Sequence, residues 1–160
     1  MSFHAHHKIE AGKDEWLTPP DILRALGPFD LDPCAPVKRP WDTAKQHFTI
    51  FDNELKRQWS GRVWMNPPYG AKTPIWLARM AEHGNGIALI FARTETEMFF
   101  SHVWSKASAV LFIKGRLNFH HVSGERAGFN AGAPSVLVAY GDLNVSALET
   151  SGIDGRLVRL

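Results

Sequence analysis

Arg62-Val63-Trp64-Met65-Asn66-Pro67-Pro68-Tyr69-Gly70, followed by Pro74 to Glu82 and then Ile87-Ala88-Leu89-Ile90-Phe91, carries the reading of the fold. Arg62 to Met65 is an apolar run that stops at two prolines; they fix φ and lack an N–H, so neither a helix nor a ladder continues through them. Pro74 to Glu82 sets Ile75, Leu77, Ala78 and Ala81 at helical spacing, and Gly84-Asn85-Gly86 ends the run. Ile87 to Phe91 is unbroken apolar sequence, the pattern of a central strand covered on both faces. Strand, helix and buried strand in that order predict an α/β domain, a mostly parallel sheet with helices on both faces. Ligands then bind beyond the carboxyl ends of the strands.

Outward toward the amino terminus, Trp16-Leu17-Thr18-Pro19-Pro20-Asp21 is a rigid turn leading into a short helix, Ile22 to Leu26, closed by Gly27-Pro28. Phe29-Asp30-Leu31-Asp32 alternates apolar and acidic residues and stops at Pro33, which puts Asp32 at a strand end. His47 to Phe51 is a second short strand ending at Asp52-Asn53, and Leu55 to Trp59 is helical. Toward the carboxyl terminus, Glu97 to Lys106 reads as helix, and Ala109 to Ile113 and Ser135 to Tyr140 as strands. Arg116 to Pro134 between them is rich in Gly, His and Arg. Leu143 to Leu160, polar turns and short apolar stretches, reads as peripheral. Residues 1–14 are a flexible tail and 15–160 a single domain, a size that buries a real core.

Composition narrows the function classes. Ten Phe, six Trp and two Tyr exceed what a core of this size needs, so some aromatic surface is free to stack. A net charge of +2 permits a nucleic-acid partner without demanding one. The single Cys34 excludes an intrachain disulfide and a cysteine-cluster zinc site, which suits a reducing, cytoplasmic setting. No stretch approaches the roughly 18 apolar residues of a membrane span, and the polar opening has no export signal. His4, His6 and His7 read as part of a solvated tail, and no metal is assigned.

The chemistry-bearing candidate is Asn66-Pro67-Pro68-Tyr69. At a strand end, the Asn66 amide oxygen and the Pro67 carbonyl can both accept hydrogen bonds from one NH2, which holds its lone pair toward a methyl donor. The Tyr69 ring can stack on the base that carries that amine. An ordinary strand-to-loop turn is the plainer reading of the same four residues. If a methyl donor sits nearby, S-adenosylmethionine needs acceptors for its ribose, adenine amine and ammonium groups. Asp32 and Asp52 are the candidates, with Pro33, Cys34 and Ala35 small or rigid enough for close approach; each Asp alone serves equally as a cap or turn former. Lys38, Arg39, Trp41 and Lys45 interleave basic and aromatic residues in a loop that fits phosphate and base contacts as well as it fits a solvated loop. Lys72 and Arg93 suit a phosphate, a cofactor carboxylate or solvent. Arg116, His120, His121 and Arg126 form a second basic stretch, in either a groove-entering or a solvated hairpin.

On Glu15-Trp16-Leu17-Thr18-Pro19-Pro20, Phe29 to Ala35, Trp59 to Tyr69 and Arg93-Thr94, the chain resembles the phage-type, Dam-like DNA N6-adenine methyltransferases over roughly residues 14 to 141. The resemblance implies a compact Rossmann-like class I methyltransferase domain with S-adenosylmethionine as cofactor and double-stranded DNA as partner, in a phage or prophage setting. It implies that the Asp32 segment is the cofactor-binding first motif, that Asp52 contacts the cofactor adenine, and that the Thr18-Pro19 turn closes over the methionine end. Direct in-line transfer to adenine N6 follows, with Asn66, Pro67, Pro68 and Tyr69 as the catalytic turn and Tyr69 as platform for a flipped base. The first motif lacks a Gly-x-Gly, and beyond Asp52, which the resemblance gives to the adenine, no acidic residue ends a separate second strand to take the ribose. Two other readings remain open: amino-group methylation of a protein glutamine or of RNA, and a noncatalytic DNA-binding module on the same fold.

Overall fold

The structure is a computed structural model that describes residues 16–127 and 131–160; the tail, including His4, His6 and His7, and Glu15 lie outside them. The elements run α1 (Pro20–Leu26), β1 (Leu31–Asp32), β2 (Gln46–His47), β3 (Val63–Met65), α2 (Thr73–His83), β4 (Gly86–Phe91) and α3 (Glu97–Phe99), the last continuing into a π-helical turn, Phe100–Trp104. β5 (Ala109–Ile113), β6 (Ser135–Tyr140), α4 (Asp142–Thr150) and β7 (Gly155–Arg159) complete the domain. The seven strands form one sheet in the order β2-β1-β3-β4-β6-β5-β7.

The sheet is mixed. β2, β1, β3 and β4 pair in parallel, whereas β4–β6, β6–β5 and β5–β7 are antiparallel. Three of the six pairings are therefore antiparallel, and the expected parallel pairing covers half of the sheet. The parallel prediction came from the β3–α2–β4 crossover and holds there; it does not extend past β4. β5 still points the same way as β1 to β4, because two antiparallel steps separate it from β4. The carboxyl ends of β1, β3 and β4 consequently share one rim.

Helices cover both faces. On one, Trp76, Leu77 and Met80 of α2 and Phe99 and Val103 pack on Val63, Met65, Ala88, Ile90, Val136 and Val138. On the other, Ile22, Leu23 and Leu26 of α1 and Val145 and Leu148 of α4 pack on Trp64, Ile87, Leu89, Leu111 and Leu137. Burial of each Val, Leu, Ile, Phe or Met among them contributes about 1.5–3 kcal/mol. Two glycines are required by geometry. Gly84, at φ 74°, caps α2 in the left-handed region and donates to Met80 O at 2.9 Å. A Cβ at Gly86 would lie 2.4 Å from the Val63 carbonyl, so only glycine allows β4 to pair closely with β3.

Three local expectations give way to turn chemistry. The second strand is Gln46–His47, not 47–51, and Ile50 and Phe51 are 69% and 80% exposed. There Asp52 accepts from Thr49 N at 2.8 Å and Asn53 takes φ 54°, bending the chain before a strand can extend. Leu55 to Trp59 is not a helix. Trp59 is buried against Trp76, under the Arg79 guanidinium, and its indole N–H donates to Glu54 O at 2.9 Å, which fixes the segment as turns. Within Glu97 to Lys106, α-helix gives way to the π turn, where the Ser105 hydroxyl donates to the carbonyls of Phe100 (2.8 Å) and Ser101 (2.9 Å). Leu143 to Leu160 is more than periphery, since α4 buries Asn144, Val145 and Leu148 and β7 forms a sheet edge.

Candidate active site

The turn after β3 stands at the shared rim. Asn66 Nδ2 donates to Trp16 O (3.3 Å) and Thr18 Oγ1 (3.2 Å), and the Tyr69 hydroxyl donates to Asn66 Oδ1 (3.3 Å). These are bonds at the long end of the range. They orient the amide with its nitrogen toward the incoming chain and its oxygen toward Tyr69. Pro67 is buried, and its carbonyl receives no hydrogen bond from a described residue. Thr73 Oγ1 donates to Pro68 O at 2.6 Å, tying the turn to the start of α2. The Tyr69 ring lies flat on Phe91, with centroids 4.1 Å apart and planes at 10°, and meets Phe119 edge-on at 6.3 Å. Burial pushes the Tyr69 hydroxyl pKa up, so it remains a neutral donor.

A cleft of about 480 Å³ runs from this turn to the carboxyl end of β1, within the usual range for small-molecule sites. Cys34, Ala35 and Pro36 form one wall, Asn66, Tyr69 and Lys72 another, and Ile50, Glu54 and Trp76 line the remainder. Asp32 lies beneath it, 4% exposed. Its Oδ1 accepts from Cys34 N at 3.0 Å and its Oδ2 from the Thr43 hydroxyl. Burial raises its carboxyl to about 6, against the pull of those two donors and of Arg39. Burial, then the charges of Asp32 and Glu54, push the Cys34 thiol up, which leaves it protonated and inert.

Asp52 is not part of the lining. Its carboxylate is engaged by Thr49 and lies 3.6 Å from Arg57, and the Thr49 backbone N–H holds its pKa below the ordinary value. The carboxylate in the cleft is Glu54, two residues on, which sequence reading missed; it follows no recognisable strand, so nothing in the pattern marked it. Thr18 is buried against Asn66, Pro19 precedes α1, and Pro33 is buried behind Cys34.

Beside the cleft lies a small aromatic cavity of about 120 Å³, walled by Trp16, Tyr69, Phe91 and Phe119. Leu17 and His120 exchange backbone hydrogen bonds of 2.8 and 3.0 Å, which clamps the incoming chain to the segment after β5. This segment was read for its basic residues; its largest buried side chain is Phe119, 6% exposed, while Arg116, His121 and Arg126 are exposed. The signal available was Phe119 itself, an apolar residue inside a polar hairpin.

The basic candidates separate. Arg39 donates to Pro36 O (3.2 Å) and lies 3.6 Å from Asp42, Trp41 packs edge-on to His120 at 5.4 Å, and Arg116 donates to Ala131 O (3.1 Å). All three have internal partners. Lys38, Lys72 and Arg93 are exposed and form no ion pair with a described residue. Lys72 lines the cleft, and the Arg93 guanidinium lies 5.9 Å above Phe91.

The model of the family described as DNA N-6-adenine-methyltransferase (Dam) matches residues 5–148. The chain belongs to that family. It is a DNA adenine-N6 methyltransferase, and among the substrates left open by the sequence the family selects DNA adenine over RNA and protein glutamine. No curated protein and no solved structure is similar enough to match the chain. The matched span takes in the cleft, the Asn66–Tyr69 turn and the aromatic cavity. This chemistry implies a methyl donor of the S-adenosylmethionine type. Among the described residues no group of His, Cys, Asp or Glu could hold a metal, and no helix is long and apolar enough to cross a membrane.

Proposed function

We propose that the cleft binds S-adenosylmethionine and that the aromatic cavity beside Tyr69 receives an adenine flipped out of double-stranded DNA. The carrying observation is the cleft's donor set. The Asn66 amide oxygen stands at one end and Glu54, a carboxylate with no partner among the described residues, lines the other part, with Lys72 at the rim. Those groups fit the cofactor: Glu54 would accept from the ribose hydroxyls, Lys72 would pair with the methionine carboxylate, and Ile50 and Cys34 would cover the adenine faces. When bound, this group supplies an electrophilic methyl on a sulfonium.

The chain's own residues do the rest. Asn66 Oδ1 and the Pro67 carbonyl take the two amino hydrogens of the target base, which leaves the nitrogen lone pair facing the cleft. Tyr69 supports the ring, backed by Phe91, and Phe119 and Trp16 exclude water from the opposite side. Asp32 acts from below. Its two bonds hold the Cys34-Ala35 backbone and the Thr43 loop in place, so it shapes the cofactor wall without reaching into the cleft. Lys38, exposed and without an ion pair to a described residue, is a cation available to duplex phosphates.

Calorimetric titration with S-adenosylmethionine tests the assignment. Glu54→Gln is expected to weaken binding about tenfold, the worth of hydrogen bonds to a charged acceptor, and Asp52→Asn less than twofold. The reverse order would place Asp52, and not Glu54, against the cofactor.

A further inference from the structure

The Tyr69–Phe91 stack borders a second cavity, of about 430 Å³, whose walls include Pro74, Ile90, Arg93 and Met98. The small aromatic cavity lies on the α1 side of the sheet, with Phe119 and Ala131, whereas this one lies on the α2 side, with Ile90 and Met98. Its threonines are committed: Thr73 Oγ1 donates to Pro68 O, and Thr96 Oγ1 donates to Arg93 O (2.7 Å) and accepts from Phe99 N (3.3 Å). Arg93 is not. Its side chain is exposed and has no acceptor among the described residues, its sole recorded partner being the face of Phe91. It also stays out of the cofactor cleft's lining, so the cofactor carboxylate is not its ligand.

A guanidinium prefers a phosphate or carboxylate that it can hold with two N–H groups, and an apolar aromatic wall prefers a flat ring. A nucleotide has both. We propose that this cavity holds the nucleotide directly adjoining the target adenine, with its base against Phe91, Met98 and Pro74 and its phosphate on Arg93. The proposal rests on Tyr69 being the platform of the target base, because the same two rings then separate target and neighbour. It makes Met98 and Phe91 determinants of which base may stand beside the methylated adenine, and Arg93 a sequence-independent anchor.

The test uses the full chain, a duplex library with random bases around each adenine, mapping of N6-methyladenine in the product, and anisotropy titrations with duplex DNA over a range of salt. Arg93→Ala is expected to weaken DNA binding about tenfold and to lower the slope of log K against log salt by about 0.9, with cofactor affinity unchanged. Met98→Trp, which fills the cavity, is expected to alter base preference at one position adjoining the methylated adenine and at no other. An unchanged salt slope in Arg93→Ala overturns the proposal, as does an unchanged preference at both adjoining positions in folded Met98→Trp. Should Met98→Trp fail to fold, the exposed Arg93 substitution still decides. A wild-type protein that binds DNA but leaves no N6-methyladenine would contradict the Tyr69 reading itself, whereas a methylating wild type with indifferent variants overturns this cavity alone.

Discussion

The two halves of the sheet are built differently. On the parallel side, β1 and β2 have two residues each and β3 has three, while β4 to β7 on the antiparallel side have five or six. β6 is buried along its whole length. The short parallel strands are little more than anchors for loops, and those loops carry Cys34, Glu54, Asn66, Tyr69 and Lys72. The long antiparallel strands supply most of the ladder and much of the core, and none of the cleft. Stability and chemistry are thus largely separated, with β4 as the shared border: its buried body belongs to the core, and Phe91 at its end backs Tyr69.

The separation breaks if a core substitution on the antiparallel side changes turnover, or a turn substitution on the parallel side changes stability. Leu137→Ala, in the middle of β6, is expected to cost about 2–5 kcal/mol in a denaturant melt and to leave turnover per folded molecule intact. Asn66→Ala should do the reverse. A loss of about 10²- to 10³-fold in kcat is expected, with the melt and cofactor affinity near wild type, because the group removed acts on the acceptor amine. A comparable fall in cofactor affinity would mean that Asn66 belongs to the donor side.

Asp32 sharpens the comparison, because it is a carboxyl buried on the parallel side, beneath the cleft. Its carboxyl is raised from 3.8 to about 6, so the folded state holds a proton that the unfolded state has released between those values. Its contribution is fully present below pH 3.8 and is lost as pH rises toward 6, by up to about 3 kcal/mol at 1.36 kcal/mol per unit. Asp32→Asn removes that dependence. Stability of the variant relative to wild type is therefore expected to rise across pH 4 to 6 in paired melts, and a flat difference would mean that Asp32 is solvated. The smallest effect is expected at the aromatic cavity. Phe119→Leu should weaken binding of duplex DNA by about 1 kcal/mol, with reduced fluorescence change from 2-aminopurine placed at the target adenine.

Much of the parallel side was legible because its signals are local. Proline pairs stop strands wherever they fall, Gly84 ends α2, and the unbroken Ile87–Phe91 run marks a strand covered twice. Asn66 and Tyr69 were readable for the same reason, since the turn that aims them lies within four residues. What escaped depends on distant partners. Antiparallel pairing of β4 with β6 joins segments separated by the whole β5 region, and no periodicity reports strand direction. Asp52 and Glu54 are alike as letters; Thr49, by capping the turn, takes one carboxylate out of the cleft, while the fold of Trp59 under Arg79 leaves the other in it. Phe119 reads as part of a polar hairpin until Leu17 pairs with His120 and turns it inward.

The most direct measurement is transfer from labelled S-adenosylmethionine to unmethylated duplex DNA, followed by nucleoside analysis. All label in N6-methyladenine is the expected result. Label in another nucleoside, or none from a protein that binds the cofactor, would contradict the role given to the Asn66–Tyr69 turn.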